Sequence, residues 1–128
     1  MSGWDAYITS LTDRSSAIKR AAIVGLDGAV WAKTANFNPT PDEIKKFSTL
    51  FGDLSSVPGL GADLEGIHYI VPRTEPGLIF GKKDKSGFFA VQSKSAIIIG
   101  IFEGDNEVSG NVRCAVQAIA DYLSNLGY

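Results

Sequence analysis

Cysteine, histidine and methionine, on which much protein chemistry depends, each occur only once in this chain of 128 residues. The single cysteine, Cys114, cannot form an internal disulfide, which indicates a reducing, intracellular setting. With one cysteine and one histidine, His68, there is no pair at metal-ligand spacing, and no glycine-rich phosphate loop opens a helix. We therefore expect neither a metal nor another cofactor.

Strong net charge and long apolar runs are missing as well. The formal net charge is −2, so electrostatics give no reason to expect a nucleic-acid partner. The longest apolar stretch, residues 96–102, is too short to cross a bilayer and is typical of a buried strand. Residues 1–20 lack a basic start followed by an apolar run, so we expect no signal peptide.

Basic residues in the second half of the chain are the one uneven feature of the charge distribution. They either share a face and form a local basic patch, or are separately solvated, and charge alone does not decide between the two. The residues concerned are Arg73, Lys82, Lys83, Lys85, Lys94 and Arg113.

The length predicts one domain, residues 1–128, able to bury its own core. Helical periodicity predicts helices over residues 2–12, 41–51 and about 109–126, while residues 53–66 read as a loop. Strands are predicted over residues 21–24, 29–34, 68–72, 78–82, 88–92 and 96–102. Short turns make neighbouring strands antiparallel. The fold class is α+β: a central antiparallel β-sheet with the N- and C-terminal helices packed on one face and a further helix and loop on the other.

Two local patterns are sharper than the rest. Thr40, Pro41 and Glu43 form the capping box and first turn of the second helix. In the strand that follows the Asp-Gly turn, alternation predicts Val30 and Ala32 on one face and Trp31 on the other, so that Trp31 need not be core.

Aromatic residues near both chain ends are the strongest functional lead. Chain ends normally fray and gain little from bulky apolar groups. If the ends pack side by side, their rings form a shallow surface whose N–H and O–H groups can bind the unpaired carbonyls of a polyproline II helix. The set comprises Trp4, Tyr7, Trp31, Tyr122 and Tyr128, and each of them taken alone is more often partial core.

Four segments together resemble profilin, the family of actin-monomer-binding proteins. They are residues 2–8, 23–32, 97–103 and 121–128. The resemblance covers the whole chain, including its length and order of elements. It implies three partners, which are monomeric actin, proline-rich proteins and phosphoinositide headgroups, and it implies a cytoplasmic, cytoskeletal protein that is not an enzyme. For the oligomeric state, a monomer is the simplest expectation.

The resemblance also implies positions for the two protein-binding sites. The proline-rich site falls on Trp4, Tyr7, Trp31, Tyr122, Leu123 and Tyr128. The actin face falls on Arg73, Lys83, Ala90, Gln92, Asn111 and Arg113. With both sites occupied, the protein would act as an adaptor that raises the concentration of actin near a proline-rich carrier.

Two alternatives remain open at this point. A small-molecule sensor or scaffold of PAS-like or roadblock-like α+β shape would need an apolar pocket between sheet and helix, and it would give the terminal aromatic residues no role. A minor enzyme would have to use His68 or Cys114. We expect His68 to be a packed or hydrogen-bonded strand residue and Cys114 to be a small buried one.

Overall fold

The computed structural model describes residues 4–14, 17–52, 54–83, 86–103 and 106–128. Side chains are described for these residues except at positions 4, 5, 60, 73 and 106–110.

Seven antiparallel strands form one sheet in the order β2-β1-β7-β6-β5-β4-β3. Their bounds are β1 Ile18–Gly25, β2 Val30–Lys33, β3 Ala62–Leu64, β4 Ile67–Glu75, β5 Leu78–Lys83, β6 Ser86–Gln92 and β7 Ala96–Glu103. The chain therefore pairs β1 with the last strand, β7, which brings its early and late segments together next to the edge strand β2. The predicted α+β class is confirmed.

Two helices cover one face of this sheet: α1 Trp4–Arg14 and α4 Asn106–Asn125. Their apolar stripes, which include Ile8, Leu11, Val116 and Ile119, are buried in one cluster with alternate residues of β1, β6 and β7. Gly100 in β7 allows α4 to approach closely, since a Cβ there would lie 2.8 Å from Val116 Cγ2.

The opposite face is covered by α2 Pro41–Leu50 and the segment that follows it. Ile44 and Phe47 of α2 join a second buried cluster with Ala22 and Val24 of β1, whose neighbours Ala21 and Ile23 belong to the first cluster. Because both faces are covered, residues 21–24 of β1 are a continuous apolar run instead of an alternating one.

Glu43 does more than cap α2. The predicted capping box with Thr40 is confirmed. In addition, the Glu43 carboxylate accepts backbone hydrogen bonds from Glu65 at 3.1 Å and Gly66 at 2.7 Å, which ties α2 to the β3–β4 turn. Burial alone would raise the pKa of Glu43, but the hydrogen bonds from Thr40, Gly66 and Glu65 outweigh it and hold the pKa below its ordinary value.

The predicted loop over residues 53–66 is wrong in part. Its described residues contain a 3₁₀ turn, Leu54–Ser56, a single helical turn, α3 Val57–Leu60, and strand β3. These pieces are too short to show periodicity, and β3 exists because it pairs with β4. At the other end of the chain, Leu126 lies past the end of α4 and is 50% exposed, so it is not part of the buried stripe.

The described basic residues of the second half do not form one patch, and Lys85 lies outside the described residues. Lys82 and Lys83 end β5, whereas Lys94 lies in the turn beyond the opposite end of β6. Arg113 is on α4 and is paired with Glu75 at 2.8 Å. Among the helices in the described part of the chain, none has the length and apolar character needed to cross a membrane.

Candidate functional site

Four aromatic side chains from three distant parts of the chain form two ring pairs on the α1–α4 side of the sheet. Tyr7 of α1 contacts Tyr122 of α4, with ring centroids 5.7 Å apart. Trp31 of β2 contacts Tyr128 edge to face, with centroids 6.4 Å apart and planes at 78°. We call these four residues the aromatic strip. Each pair joins residues that are far apart in the sequence, so both contacts depend on the tertiary structure.

A β-bulge places Trp31 in the strip. Ile23 of β1 pairs with Ala32 and the next residue, Val24, pairs with Val30, so Trp31 is the extra residue of β2. The bulge breaks strict alternation. Trp31 and Ala32 therefore both contact the core on the α1–α4 side, while Val30 is 45% exposed. The prediction that Val30 and Ala32 share a face opposite Trp31 is wrong for this reason.

The strip is partly open to solvent. Tyr122 is 53% exposed and Tyr128 is 44% exposed, while Tyr7 and Trp31 are half-buried against the core. A ring in such a position keeps its polar group accessible and one side of its π-face available. Half-exposed tyrosine and tryptophan rings are the side chains that a flat, apolar peptide can stack on.

Two residues assigned to the proline-rich site from the resemblance need separate comment. Leu123 is completely buried in the core beneath α4, so its side chain cannot contact a ligand, and this assignment is wrong. The backbone of Trp4 begins α1, but its side chain lies outside the described part of the structure.

A groove of about 340 Å³ runs between the two terminal helices beside the strip. Its lining residues are Ala6, Tyr7, Ser10 and Arg14 of α1 with Ala118, Ile119 and Tyr122 of α4. The α1 residues follow helical spacing on one side of the helix, which sets the direction of the groove along the helix axes. The Tyr7–Tyr122 pair is thus part of a groove and not an isolated contact.

A second groove, of about 570 Å³, lies on the part of the sheet that α1 and α4 leave uncovered. It is lined by His68, Ile70 and Pro72 of β4 and by Lys82 and Lys83 of β5. We call it the β4–β5 groove. Ile70 is 66% exposed at its centre. It therefore combines an exposed apolar side chain with two cations.

Sequence reasoning predicts a strand over residues 68–72 but assigns no face to Ile70 or Pro72, so it misses them as surface residues. The available signal was alternation: Tyr69 and Val71 are buried, and His68, Ile70 and Pro72 are exposed. A proline fits at Pro72 because the pairing of β3 with β4 ends before it and the β4–β5 register shifts between Ile70 and Arg73.

The residues assigned to the actin face are only partly brought together. Ala90 is completely buried in the second core cluster, so its side chain cannot touch a partner, and that assignment is wrong. Gln92 is half-buried beside the β4–β5 turn, where its N–H donates to Gly77 at 2.7 Å. Asn111 is exposed on α4 and Lys83 is exposed at the far end of β5. The side chain of Arg73 is outside the described part.

Arg113 connects α4 to the same end of the sheet as Gln92, through its ion pair with Glu75. Gln92, Asn111 and Arg113 thus lie near the β4–β5 turn or on the adjoining helix, whereas Lys83 lies in the β4–β5 groove. An interface that uses all of them has to extend along the whole β4–β5 ladder.

The two candidate catalytic residues show no catalytic arrangement in the described part. His68 Nδ1 lies 2.7 Å from the Asp63 carboxylate, and both side chains are exposed, so the expectation of a hydrogen-bonded strand histidine is confirmed. Cys114 is exposed on α4, so the expectation of a buried cysteine is wrong. Within the described residues, no cluster of three or more potential ligands for a metal occurs.

These features define the class of protein. It is an α+β protein with an antiparallel seven-stranded sheet, both terminal helices on one face, and aromatic rings from both chain ends on that side. The profilin family model matches residues 2–128, and this chain belongs to the profilin family. It is 56% identical to Profilin-2 of Caenorhabditis elegans over 131 residues, with all of both chains covered. The profilin structure of Schizosaccharomyces pombe superposes with a TM-score of 0.90 at 36% identity, covering 98% of this chain and 100% of that one.

Two more distant solved structures share the fold and contain a partner. One is described as a complex of LokiProfilin2 with rabbit actin, with a TM-score of 0.79, 20% identity and coverage of 98% and 99% of the two chains. The other is mouse profilin IIa in complex with a double repeat from the FH1 domain of mDia1, with a TM-score of 0.77, 23% identity and coverage of 99% and 100%. At these identities the likeness establishes the fold.

Proposed function

We propose that this chain is a single-domain cytoplasmic adaptor that binds proline-rich segments on its aromatic strip and monomeric actin on the opposite end of its sheet. The observation that carries the proposal is the pairing of Tyr7 with Tyr122 and of Trp31 with Tyr128 at a partly exposed surface. Membership of the profilin family supports it and disfavours the sensor alternative.

The chemistry of the aromatic strip suits a polyproline II helix. Such a helix has no internal hydrogen bonds, so its carbonyls are available to phenol and indole donors. Its prolines are flat and already restricted, so binding them to rigid rings loses little conformational entropy. The complex of mouse profilin IIa with an FH1 repeat supports this assignment by family membership.

The β4–β5 groove is the core of the proposed actin face. Ile70 offers an exposed apolar anchor, and Lys82 and Lys83 offer positive charge beside it. Interfaces of this kind combine a desolvated apolar centre with a charged rim. We assign Ile70, Pro72 and Lys82 to this face together with Lys83, Gln92, Asn111, Arg113 and Arg73, in place of Ala90.

The separation of the two sites permits simultaneous binding. Trp31 is on the edge strand β2 and the groove begins at β5, four strand spacings away in the sheet. At a spacing of about 4.8 Å between strands, Trp31 and the β4–β5 groove are roughly 19 Å apart across the sheet. A proline-rich carrier held at the strip then keeps a bound actin monomer at a high effective concentration near the carrier.

A polyproline column tests both halves of the proposal together. Monomeric actin is passed over the column with and without this protein, and we expect it to be retained only when the protein is present. Tyr122→Ala should pass through the column yet still bind actin in solution. Ile70→Asp should be retained but fail to hold actin. Both side chains are largely exposed, so neither change should unfold the chain.

The outcomes separate the two assignments. Failure of the unchanged protein to bind the column would overturn the proline-rich site, and failure to carry actin would overturn the actin face. A small molecule that stays bound through native purification would instead support the sensor alternative.

Phosphoinositide binding would depend on local positive charge. Lys82 and Lys83 are a pair of adjacent exposed cations in the β4–β5 groove, Lys45 and Lys46 are another pair on α2, and the net charge of the chain is −2. Attraction to an anionic headgroup would therefore be local and screened by salt. Sedimentation with vesicles containing a phosphoinositide at low and high salt tests it, and Lys82→Glu should abolish any binding.

A further inference from the structure

The turn between β6 and β7 holds the main chain of Tyr128. We call residues 93–95 the serine turn. The main-chain oxygen of Tyr128 accepts hydrogen bonds from the Ser93 hydroxyl at 2.8 Å, the Ser95 hydroxyl at 2.9 Å and the Ser95 N–H at 2.5 Å. One main-chain oxygen thus accepts three hydrogen bonds from the serine turn, two of them from side chains. Continuing the chain past the end of the helix does not require that many.

Ser95 is also bonded to the hairpin that carries Trp31. Its main-chain oxygen accepts from the Leu26 N–H in the β1–β2 turn, at 3.2 Å. The indole of Trp31 lies over that same turn, because a Cβ built on Gly25 would be 3.0 Å from Trp31 Nε1. One residue of the serine turn therefore contacts both segments whose rings form the Trp31–Tyr128 pair.

The hydrogen bonds from the serine turn fix the main chain from which the Tyr128 ring projects. The chain turns back at Gly127, which has a φ of +98°, and the Tyr128 N–H bonds to the Leu123 oxygen at 2.8 Å. The ring itself is 44% exposed, so apolar burial gives it limited stabilisation. A segment past the last turn of a helix otherwise frays.

We propose that Ser95, supported by Ser93, is a positioning residue for proline-rich ligands: it fixes the edge-to-face arrangement of Trp31 and Tyr128 without touching the ligand. This inference rests on the proposed binding of proline-rich segments to the aromatic strip. A pair of rings that is already ordered loses less conformational entropy on binding, and this raises the affinity for the peptide.

Ser95→Ala removes the hydroxyl and leaves the backbone donor in place. Loss of one such hydrogen bond corresponds to roughly a three- to tenfold change in an equilibrium constant, so we expect proline-peptide affinity to fall by about that factor. Ser95→Thr retains a hydroxyl and should restore it. Ser93 is a poorer choice for the test, because its hydroxyl also bonds within the turn to Ala96.

Ser86→Ala is the matched control. Its hydroxyl likewise donates to a main-chain oxygen in a strand turn, that of Lys83 at 3.0 Å, but at the other end of β6. It should bind the peptide as the unchanged protein does. Urea midpoints of the two alanine variants should agree, which separates a positioning role from general loss of stability.

Ring geometry is read without ligand in a Trp4→Phe background, where Trp31 is the sole tryptophan. We expect Ser95→Ala to make Trp31 fluorescence more accessible to acrylamide and to change the near-ultraviolet circular dichroism, with Ser95→Thr returning both. Equal peptide affinity of Ser95→Ala and the unchanged protein, or weaker binding with unchanged Trp31 signals, overturns the inference alone. Absence of peptide binding by the unchanged protein overturns the inference together with the proposed function.

Discussion

Tyr122 and Leu123 are adjacent in α4, yet the structure gives them opposite roles. Tyr122 is half-exposed in the aromatic strip, and Leu123 is completely buried in the core. Truncating each to alanine therefore separates binding from folding within one turn of one helix. This pair of variants tests both the proposed proline-rich site and the correction made to it at Leu123.

The two variants are expected to change different quantities: Tyr122→Ala changes the peptide affinity, and Leu123→Ala changes the free energy of unfolding. Tyr122→Ala deletes a ring that contacts Tyr7 and faces the groove, and an interface ring of this sort contributes about 1–2 kcal/mol to binding, or roughly a five- to thirtyfold change in Kd. Leu123→Ala leaves a cavity in a packed core and costs about 2–5 kcal/mol of unfolding free energy. Tyr122→Ala should cost well under half of that, since its ring is already largely solvated.

Proline-peptide titration followed by tryptophan fluorescence measures the first quantity, and urea unfolding measures the second. Tyr122→Phe, which keeps the ring, should retain most of the affinity. The reasoning is refuted if Tyr122→Ala binds the peptide unchanged, or if it loses as much stability as Leu123→Ala.

Three further predictions concern other parts of the molecule. Because the folded pKa of Glu43 is lowered, its stabilisation is present above its unfolded pKa and is lost as the pH falls through the folded one. Glu43→Gln should thus lower the free energy of unfolding, measured in urea, by about 1–2 kcal/mol at pH 7 and by less near pH 3. Exposed Asp42→Asn is the control, and a pH-independent difference contradicts this. Gly25→Ala should displace the indole of Trp31 and weaken peptide binding. Gly59→Ala is the control, because its Cβ meets nothing within 4 Å and it should bind the peptide normally. Equal binding by the two variants contradicts the prediction. Exposed Cys114 should react with a thiol reagent in the native protein, and reaction only in denaturant would contradict its placement.

Features that depend on neighbours along the chain were predictable from sequence. The capping box of Thr40 and Glu43 needs only a spacing of three residues, and it is present as predicted. The apolar stripe of α4 is likewise a matter of helical period, and Val112, Val116 and Ile119 are buried as expected. Such signals are local, so no knowledge of the partner element is needed to read them.

Features that depend on which element a segment packs against could not be predicted from the sequence. The bulge at Trp31 arises from how β2 pairs with β1, and no residue within β2 indicates it. Ala90 is buried because α2 covers its face of the sheet, and Ile70 is exposed because α1 and α4 do not extend over β4. The resemblance placed site residues by position along the chain, and position alone does not tell which face of a strand is covered.

The aromatic strip illustrates how folding and binding are coupled in this molecule. Its described rings come from α1, β2 and the segment that ends α4, so the Tyr7–Tyr122 contact is lost if either terminal helix detaches and the Trp31–Tyr128 contact is lost if α4 detaches. A ligand that binds only this assembled surface must stabilise the folded chain, by about 2.7 kcal/mol at a hundredfold excess over its Kd. That free energy acts on the chain ends, which are ordinarily the least stable part of a domain. Placing the binding rings there lets a proline-rich ligand reinforce the contact between α1 and α4 on which its own site depends.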